Sequence, residues 1–170
     1  WPWMDKFFGS EKEKYTYAHL SSALQFLPYG ALVDHFQEAV YLHPDWSAAE
    51  RKSCWRELEQ LYCPERNYEE SEALTRGIYW YRQGHIFEVP FYYIDYTLAQ
   101  VCALQFWERS IVKEDPTTWK DYLAICRVGG SQTFLETVQL GQLASPFDRE
   151  KMSDLLVSAE TFLAAFPDVD

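Results

Sequence analysis

Basic residues are scarce in this sequence: 15 Lys and Arg stand against 26 Asp and Glu, a formal net charge of -11. Such a surface repels phosphate backbones and anionic headgroups, which argues against nucleic acid and membrane surfaces as partners. Cysteine is scarce as well. Cys54, Cys63, Cys102 and Cys126 form no C-x-x-C pair and no short even spacing, so neither a zinc knuckle nor a disulfide framework is expected, and the four read as free thiols in a reducing cytosol. Long apolar runs are missing too. From Val89 to Trp107 the only charged residue is Asp95, but Pro90, Tyr92, Tyr93, Tyr96, Thr97, Gln100 and Gln105 interrupt the stretch, whereas a bilayer span needs about 20 predominantly apolar residues. No charged segment followed by an apolar run opens the chain, so no secretory signal is read. Finally, no H-E-x-x-H, G-x-S-x-G, Walker A or G-x-G-x-x-G motif occurs, which leaves self-contained zinc, serine-hydrolase, nucleotide and dinucleotide sites without local support.

What is present is the composition of a globular unit. The 170 residues are 48% hydrophobic and 24% charged, enough for one domain with a real core and a solvated surface. The opening Trp1-Pro2-Trp3-Met4 has the character of the middle of a packed protein. The expectation is therefore a fragment, with Trp1, Trp3, Phe7 and Phe8 as candidates for an exposed apolar patch.

Helical signals dominate, with recognisable starts and stops. Tyr17, Leu20, Leu24 and Leu27 recur at helical spacing in a segment from Glu11 to Phe26 that Pro28 is expected to end. Leu32, Val33, Phe36 and Val40 mark a second, from Gly30 to Leu42, stopped by His43-Pro44. Ser47 with Glu50 has the form of a capping box and predicts a helix from Ala48 to Tyr62. A further helix is expected from Glu69 to Tyr81 despite Gly77, then a non-helical stretch from Gly84 to Val89. Pro90 suits the first turn of a helix running to about Val112. Asp115-Pro116 opens another towards Arg127, ended by Gly129-Gly130. Ser131 caps one to about Leu140, and Ser145-Pro146 introduces the last, towards Phe166. No strand signal of comparable strength occurs, so the fold class expected is all-α, a bundle of several helices.

The segment richest in chemistry is Tyr79 to Tyr96, where Tyr79, Trp80, Tyr81, Phe87, Phe91, Tyr92, Tyr93 and Tyr96 place eight aromatics in eighteen residues. Two readings stand for these rings: core packing, or donors at a site. At about 100° per residue, Tyr93, Tyr96, Gln100 and Trp107 share one sector, with Phe91, Ile94, Leu98 and Val101 opposite. One face is then expected to pack and the other to offer hydroxyls. His85, beside Gly84, could bring an imidazole to the same space, and tyrosine O–H and imidazole N–H both suit an oxyanion. A satisfied structural histidine is the alternative. His35 with Glu38 and His43 could approximate metal spacing on a helix, but no Cys/His cluster accompanies them. His19 reads as a packed or surface residue.

The run Gly84-His85-Ile86-Phe87-Glu88-Val89-Pro90-Phe91-Tyr92-Tyr93-Ile94-Asp95-Tyr96-Thr97-Leu98-Ala99-Gln100 resembles the C-terminal signature of oligoendopeptidase F-type peptidases, in the M3 family of zinc metallopeptidases. Tyr17-Ala18-His19-Leu20, Leu27-Pro28-Tyr29, Val33-Asp34-His35-Phe36-Gln37, Tyr62-Cys63-Pro64, Gly129-Gly130-Ser131 and Ser145-Pro146-Phe147 extend the resemblance over nearly the whole chain. It implies a helical catalytic domain, a cytoplasmic location, and cleavage of internal bonds in oligopeptide substrates. It also implies a Zn2+ held by an H-E-x-x-H helix and a following glutamate. All of these residues would precede Trp1, in a missing N-terminal part of the same polypeptide, so no metal is expected on this chain and the chain alone is expected to be inactive. The transition-state donors implied are His85, Tyr93 and Tyr96, with Tyr92 as the substitute for Tyr93 if the loop is one residue shorter, and Gly84 and Tyr92 beside the substrate. A non-catalytic helical module that binds peptides is the competing reading.

Overall fold

A computed structural model describes residues 3–166, and all regular structure among them is helical. The elements are α1 (Met4–Phe8), α2 (Lys12–Leu42), α3 (Ala48–Tyr62), α4 (Glu72–Thr75), α5 (His85–Glu88), α6 (Ile94–Trp107), α7 (Thr118–Val128), α8 (Phe134–Leu140) and α9 (Arg149–Leu163), with a 3-10 turn at Tyr79–Arg82 and a π-type turn at Glu108–Val112. No helix among the described residues is long and apolar enough to cross a membrane. The described residues form two compact units, Leu24–Leu98 and the rest of those described.

The Leu24–Leu98 unit is built around Leu32, Val33 and Phe36 of α2, Trp55 of α3 and Trp80 of the 3-10 turn. Phe36 meets Trp55 edge-on at 5.1 Å between ring centroids and tilts against Trp80 at 5.0 Å. The expected Ser47 capping box is present: the Ser47 hydroxyl accepts from the Glu50 amide, and the Glu50 carboxylate accepts from the Ser47 amide at 2.7 Å. One turn beyond Trp55, the fully buried Glu59 accepts from Trp55 Nε1 at 3.3 Å, Arg56 at 2.7 Å, Arg66 at 3.4 Å and the Tyr68 hydroxyl. A buried carboxylate persists only when its lone pairs are taken up in this way. The polar connection after α3 is thus folded onto the helix it leaves.

Several local expectations are corrected here. Pro28 lies inside α2 rather than ending a helix; an interior proline forfeits one helix hydrogen bond and crowds the carbonyl four residues back, a cost offset because Leu32, Val33 and Phe36 just beyond it go into the core if the helix continues. The segment from Glu69 to Tyr81 is not one helix, because Gly77 takes φ +86° between α4 and the 3-10 turn. A Cβ there would stand 2.2 Å from the Lys52 carbonyl oxygen, so the backbone itself needs that glycine. Gly84 to Val89 is not free of helix either: Gly84, at φ -53° and ψ -34°, leads into the single turn α5. Pro90 does not start α6. Phe91 has φ +63°, a left-handed conformation incompatible with helix, and its N–H donates to Gln37 Oε1 at 2.8 Å. Gln37 is itself only 1% exposed, and its Nε2 donates to the Val33 carbonyl. The helix consequently begins at Ile94.

The division of α6 into a packed and a hydroxyl-bearing face is also revised. Ile94, Leu98 and Val101 are half-buried, Phe91 precedes the helix and is exposed, and the buried positions are Thr97, Leu104, Gln105 and Trp107. The helix is apolar around most of its circumference, so a single sector does not describe it.

In the other unit, Arg109 is the hub. Its guanidinium donates to Asp115 at 2.7 and 2.9 Å, Asp121 at 2.6 Å, Thr117 at 3.1 Å and the Gly141 carbonyl at 2.9 Å. Gln105 exchanges two hydrogen bonds with the backbone of Ala144, at 2.8 and 3.1 Å. Gly129 ends α7 with φ +53°, as its position suggests. Ser131, however, does not cap α8; its hydroxyl donates back to the Val128 carbonyl, and Thr133 with Glu136 makes the capping box. Asp148, not Ser145, caps α9. Trp3 and Phe7 are exposed, as the patch expectation requires, whereas Phe8 stacks on Tyr15 at 3.8 Å and Trp1 lies outside the described residues.

Candidate functional site

His85 stands at the start of α5, where its carbonyl accepts from the Val89 N–H and closes the single turn. The left-handed Phe91 separates α5 from α6, and Tyr93 and Tyr96 at the start of α6 stand beside the imidazole. The three rings make a triangle: His85 to Tyr93 is 5.2 Å between centroids, His85 to Tyr96 is 5.6 Å, and Tyr93 to Tyr96 is 5.6 Å, each pair edge to face. Such arrangements set the polar edge of one ring against the face of the next.

Tyr93 is the anchored member. It is half-buried, packs on the core and meets Phe26 at 5.9 Å and Tyr29 at 6.1 Å. Tyr96 is 43% exposed and Tyr92 48%, and Tyr92 lies against Tyr96 at 5.4 Å without joining the His85 triangle. Of the two alternatives left open by the spacing, it is Tyr93 that shares the triangle with His85. Desolvation holds the Tyr93 phenol above its usual range, with Tyr79 and Tyr96 adding to it. Desolvation, then Tyr92 and Asp95, does the same for Tyr96. Both phenols therefore remain protonated at neutral pH and present O–H donors.

A line of side chains reaches His85 from α2. The Tyr29 hydroxyl donates to Gln83 Oε1 at 3.0 Å, and Gln83 Nε2 stands 3.0 Å from His85 Nδ1. Tyr29 also carries the Arg66 guanidinium over its ring at 5.0 Å, and Arg66 lies over Tyr79 at 4.6 Å. Sequence reasoning singled out neither Tyr29 nor Gln83 for a role. The one local signal was an amide two residues before the histidine, in Arg82-Gln83-Gly84-His85. Gly84 itself is not conformationally required, since its backbone is helical and a Cβ would meet only Glu88 Oε1, at 3.9 Å.

The other histidines are occupied otherwise. His35 Nδ1 is 3.1 Å from the Tyr62 hydroxyl, His43 stacks on Trp46 at 4.5 Å, and His19 stacks on Tyr15 at 5.6 Å. Among the described residues no cluster of three or more His, Cys, Asp or Glu side chains could hold a metal ion.

No protein-family model and no curated protein matches this chain. Solved structures do. An X-ray structure of a candidate oligoendopeptidase F is 53% identical, with a TM-score of 0.90 over 97% of this chain and 29% of the other. PZ peptidase A with an inhibitor is 48% identical, with a TM-score of 0.91 over the same shares. A candidate oligoendopeptidase F from Bacillus anthracis str. Ames is 42% identical, with a TM-score of 0.78 over 99% of this chain and 27% of that one. This chain thus spans under a third of the length of each structure that it matches.

Proposed function

The chain is a segment of the oligoendopeptidase F type, homologous to under a third of each such chain, and on that footing we propose that it supplies the oxyanion-stabilising part of a zinc metallo-endopeptidase active site. The substrate is an oligopeptide, cleaved at an internal bond by the complete polypeptide in the cytoplasm. The observation that carries this reading is the His85–Tyr93–Tyr96 triangle, in which an imidazole and two protonated phenols stand within 5.6 Å of one another. When a peptide carbonyl is attacked, negative charge develops on its oxygen. Donors held in place beforehand stabilise that charge without reorganising at the moment of reaction. Tyr93 is held by Phe26 and Tyr29, and Tyr96 rests on Tyr93 and His85.

Among the described residues no cluster of His, Cys, Asp or Glu offers a ligand set for the zinc itself. On this reading the role of the chain is to position donors and substrate. The test is an internally quenched peptide offered, with added zinc, to the purified chain and to the complete polypeptide. Cleavage is expected from the complete polypeptide alone. Chelator-sensitive cleavage by the chain alone contradicts the proposal.

A further inference from the structure

A neutral imidazole carries one proton, and the hydrogen bond at one ring nitrogen decides which nitrogen has it. At Nδ1 of His85 the neighbour is Gln83 Nε2, 3.0 Å away. An amide nitrogen only donates. Nδ1 must then accept, and the proton belongs on Nε2.

The orientation of the Gln83 amide has its own cause. Its Oε1 takes the Tyr29 O–H at 3.0 Å. Burial pushes the Tyr29 phenol well above its usual range, so Tyr29 keeps the proton that it donates. A flipped amide would donate to the Tyr29 oxygen and leave the half-buried Tyr29 O–H without an acceptor among the described residues, since Gln83 Oε1 is the acceptor it has. Tyr29 is in turn fixed edge-on by Tyr79 and Tyr93 and covered by Arg66. The polarity therefore runs one way, from phenol to amide oxygen and from amide nitrogen to imidazole.

We propose that Gln83, oriented by Tyr29, is the positioning residue that locks His85 in the Nε2–H tautomer and so makes it a hydrogen-bond donor beside Tyr93 and Tyr96. The idea rests on the donor role given to His85 above and adds the groups that enforce it. In the other tautomer Nε2 would carry a lone pair, which repels an oxyanion instead of binding it.

The test reads the tautomer directly. Nitrogen NMR of the complete polypeptide, labelled with 15N-histidine and recorded at about pH 8.5, above the ordinary imidazole range, separates protonated from unprotonated ring nitrogens; a His85→Gln variant assigns the signal. Wild type is expected to show His85 protonated at Nε2 and bare at Nδ1. Gln83→Glu offers a carboxylate that only accepts, so the proton is expected to move to Nδ1. A wild-type Nδ1–H signal, or an unchanged tautomer in Gln83→Glu, overturns the proposal. If Gln83→Glu does not fold, the wild-type spectrum decides alone. Peptide turnover of the same variant is a separate arm. A loss approaching the about 10²–10³-fold typical of a missing oxyanion donor is expected. A moved proton with normal turnover would retire His85 as a donor and leave the positioning by Gln83 intact.

Discussion

Gly30 and Thr97 touch so closely that a Cβ placed on Gly30 would stand 1.8 Å from Thr97 Oγ1. This approach of α2 to α6 occurs one residue beyond Tyr96, so a glycine and a buried threonine set the height at which the Tyr93–Tyr96 end of α6 sits. The threonine hydroxyl is buried and has no hydrogen-bond partner among the described residues, which is the cost of the close approach.

Gly30→Ala is therefore expected to destabilise. The alanine gains up to about 1 kcal/mol of helix propensity, but the overlap falls on a stiff β-branched side chain, and overpacking of this kind costs about 1–3 kcal/mol. Thr97→Ala removes the overlapping atom and should rescue the variant. Urea unfolding of both single variants and the double variant measures the coupling, and strictly additive effects would count against this contact.

Glu59→Ala is expected to cost about 3–5 kcal/mol, because it leaves Arg56 and Arg66 facing a buried space without their carboxylate. Chemical denaturation midpoints check this. A loss of under about 1 kcal/mol, the range of an exposed ion pair, would show that the carboxylate is not buried as described.

Thr133→Ala should lower stability by about 1 kcal/mol through loss of the α8 cap, whereas Ser131→Ala should change little. Thermal melts of the two variants side by side distinguish the true cap from its neighbour.

Asp115 gives a pH dependence of definite sign. Hydrogen bonds from the Thr117 hydroxyl and amide, then from Arg109, hold its carboxyl down at about 2 from an ordinary 3.8. A depressed folded value means stability that is present above 3.8 and is lost as pH falls through about 2. In Asp115→Asn the decline over that window is expected to be shallower than in wild type. Urea midpoints across it test the expectation, and parallel profiles would refute it.

Much of this architecture is written in short-range signals. Ser47 and Glu50, three residues apart, mark the start of α3, and Gly129 marks the end of α7; both are local chemistry and stand where expected. The convergence of His85, Tyr93 and Tyr96 was legible from resemblance, and the crowding of aromatics pointed to the same segment. What escaped depends on distant partners. Phe91 is held left-handed by Gln37, fifty-four positions earlier, and Tyr29 reaches Gln83 over the same separation. Pro28 has the local character of a helix end, and only the packing of Leu32, Val33 and Phe36 explains why the helix runs on.

In the proposed function Tyr96 donates a hydrogen bond to the developing oxyanion. Tyr96→Phe in the complete polypeptide keeps the ring and its edge-to-face contacts with His85, Tyr92 and Tyr93. Only the hydroxyl is lost. The measurement is kcat and kcat/KM for an internally quenched peptide, with metal content and melting temperature recorded on the same preparations. A fall in kcat of about 10²–10³-fold, or roughly 3–4 kcal/mol of barrier, is expected, with metal content and melting temperature unchanged. Turnover within about twofold of wild type, against the 10²–10³-fold of a missing donor, would contradict it, as would a loss of turnover that follows a loss of folding.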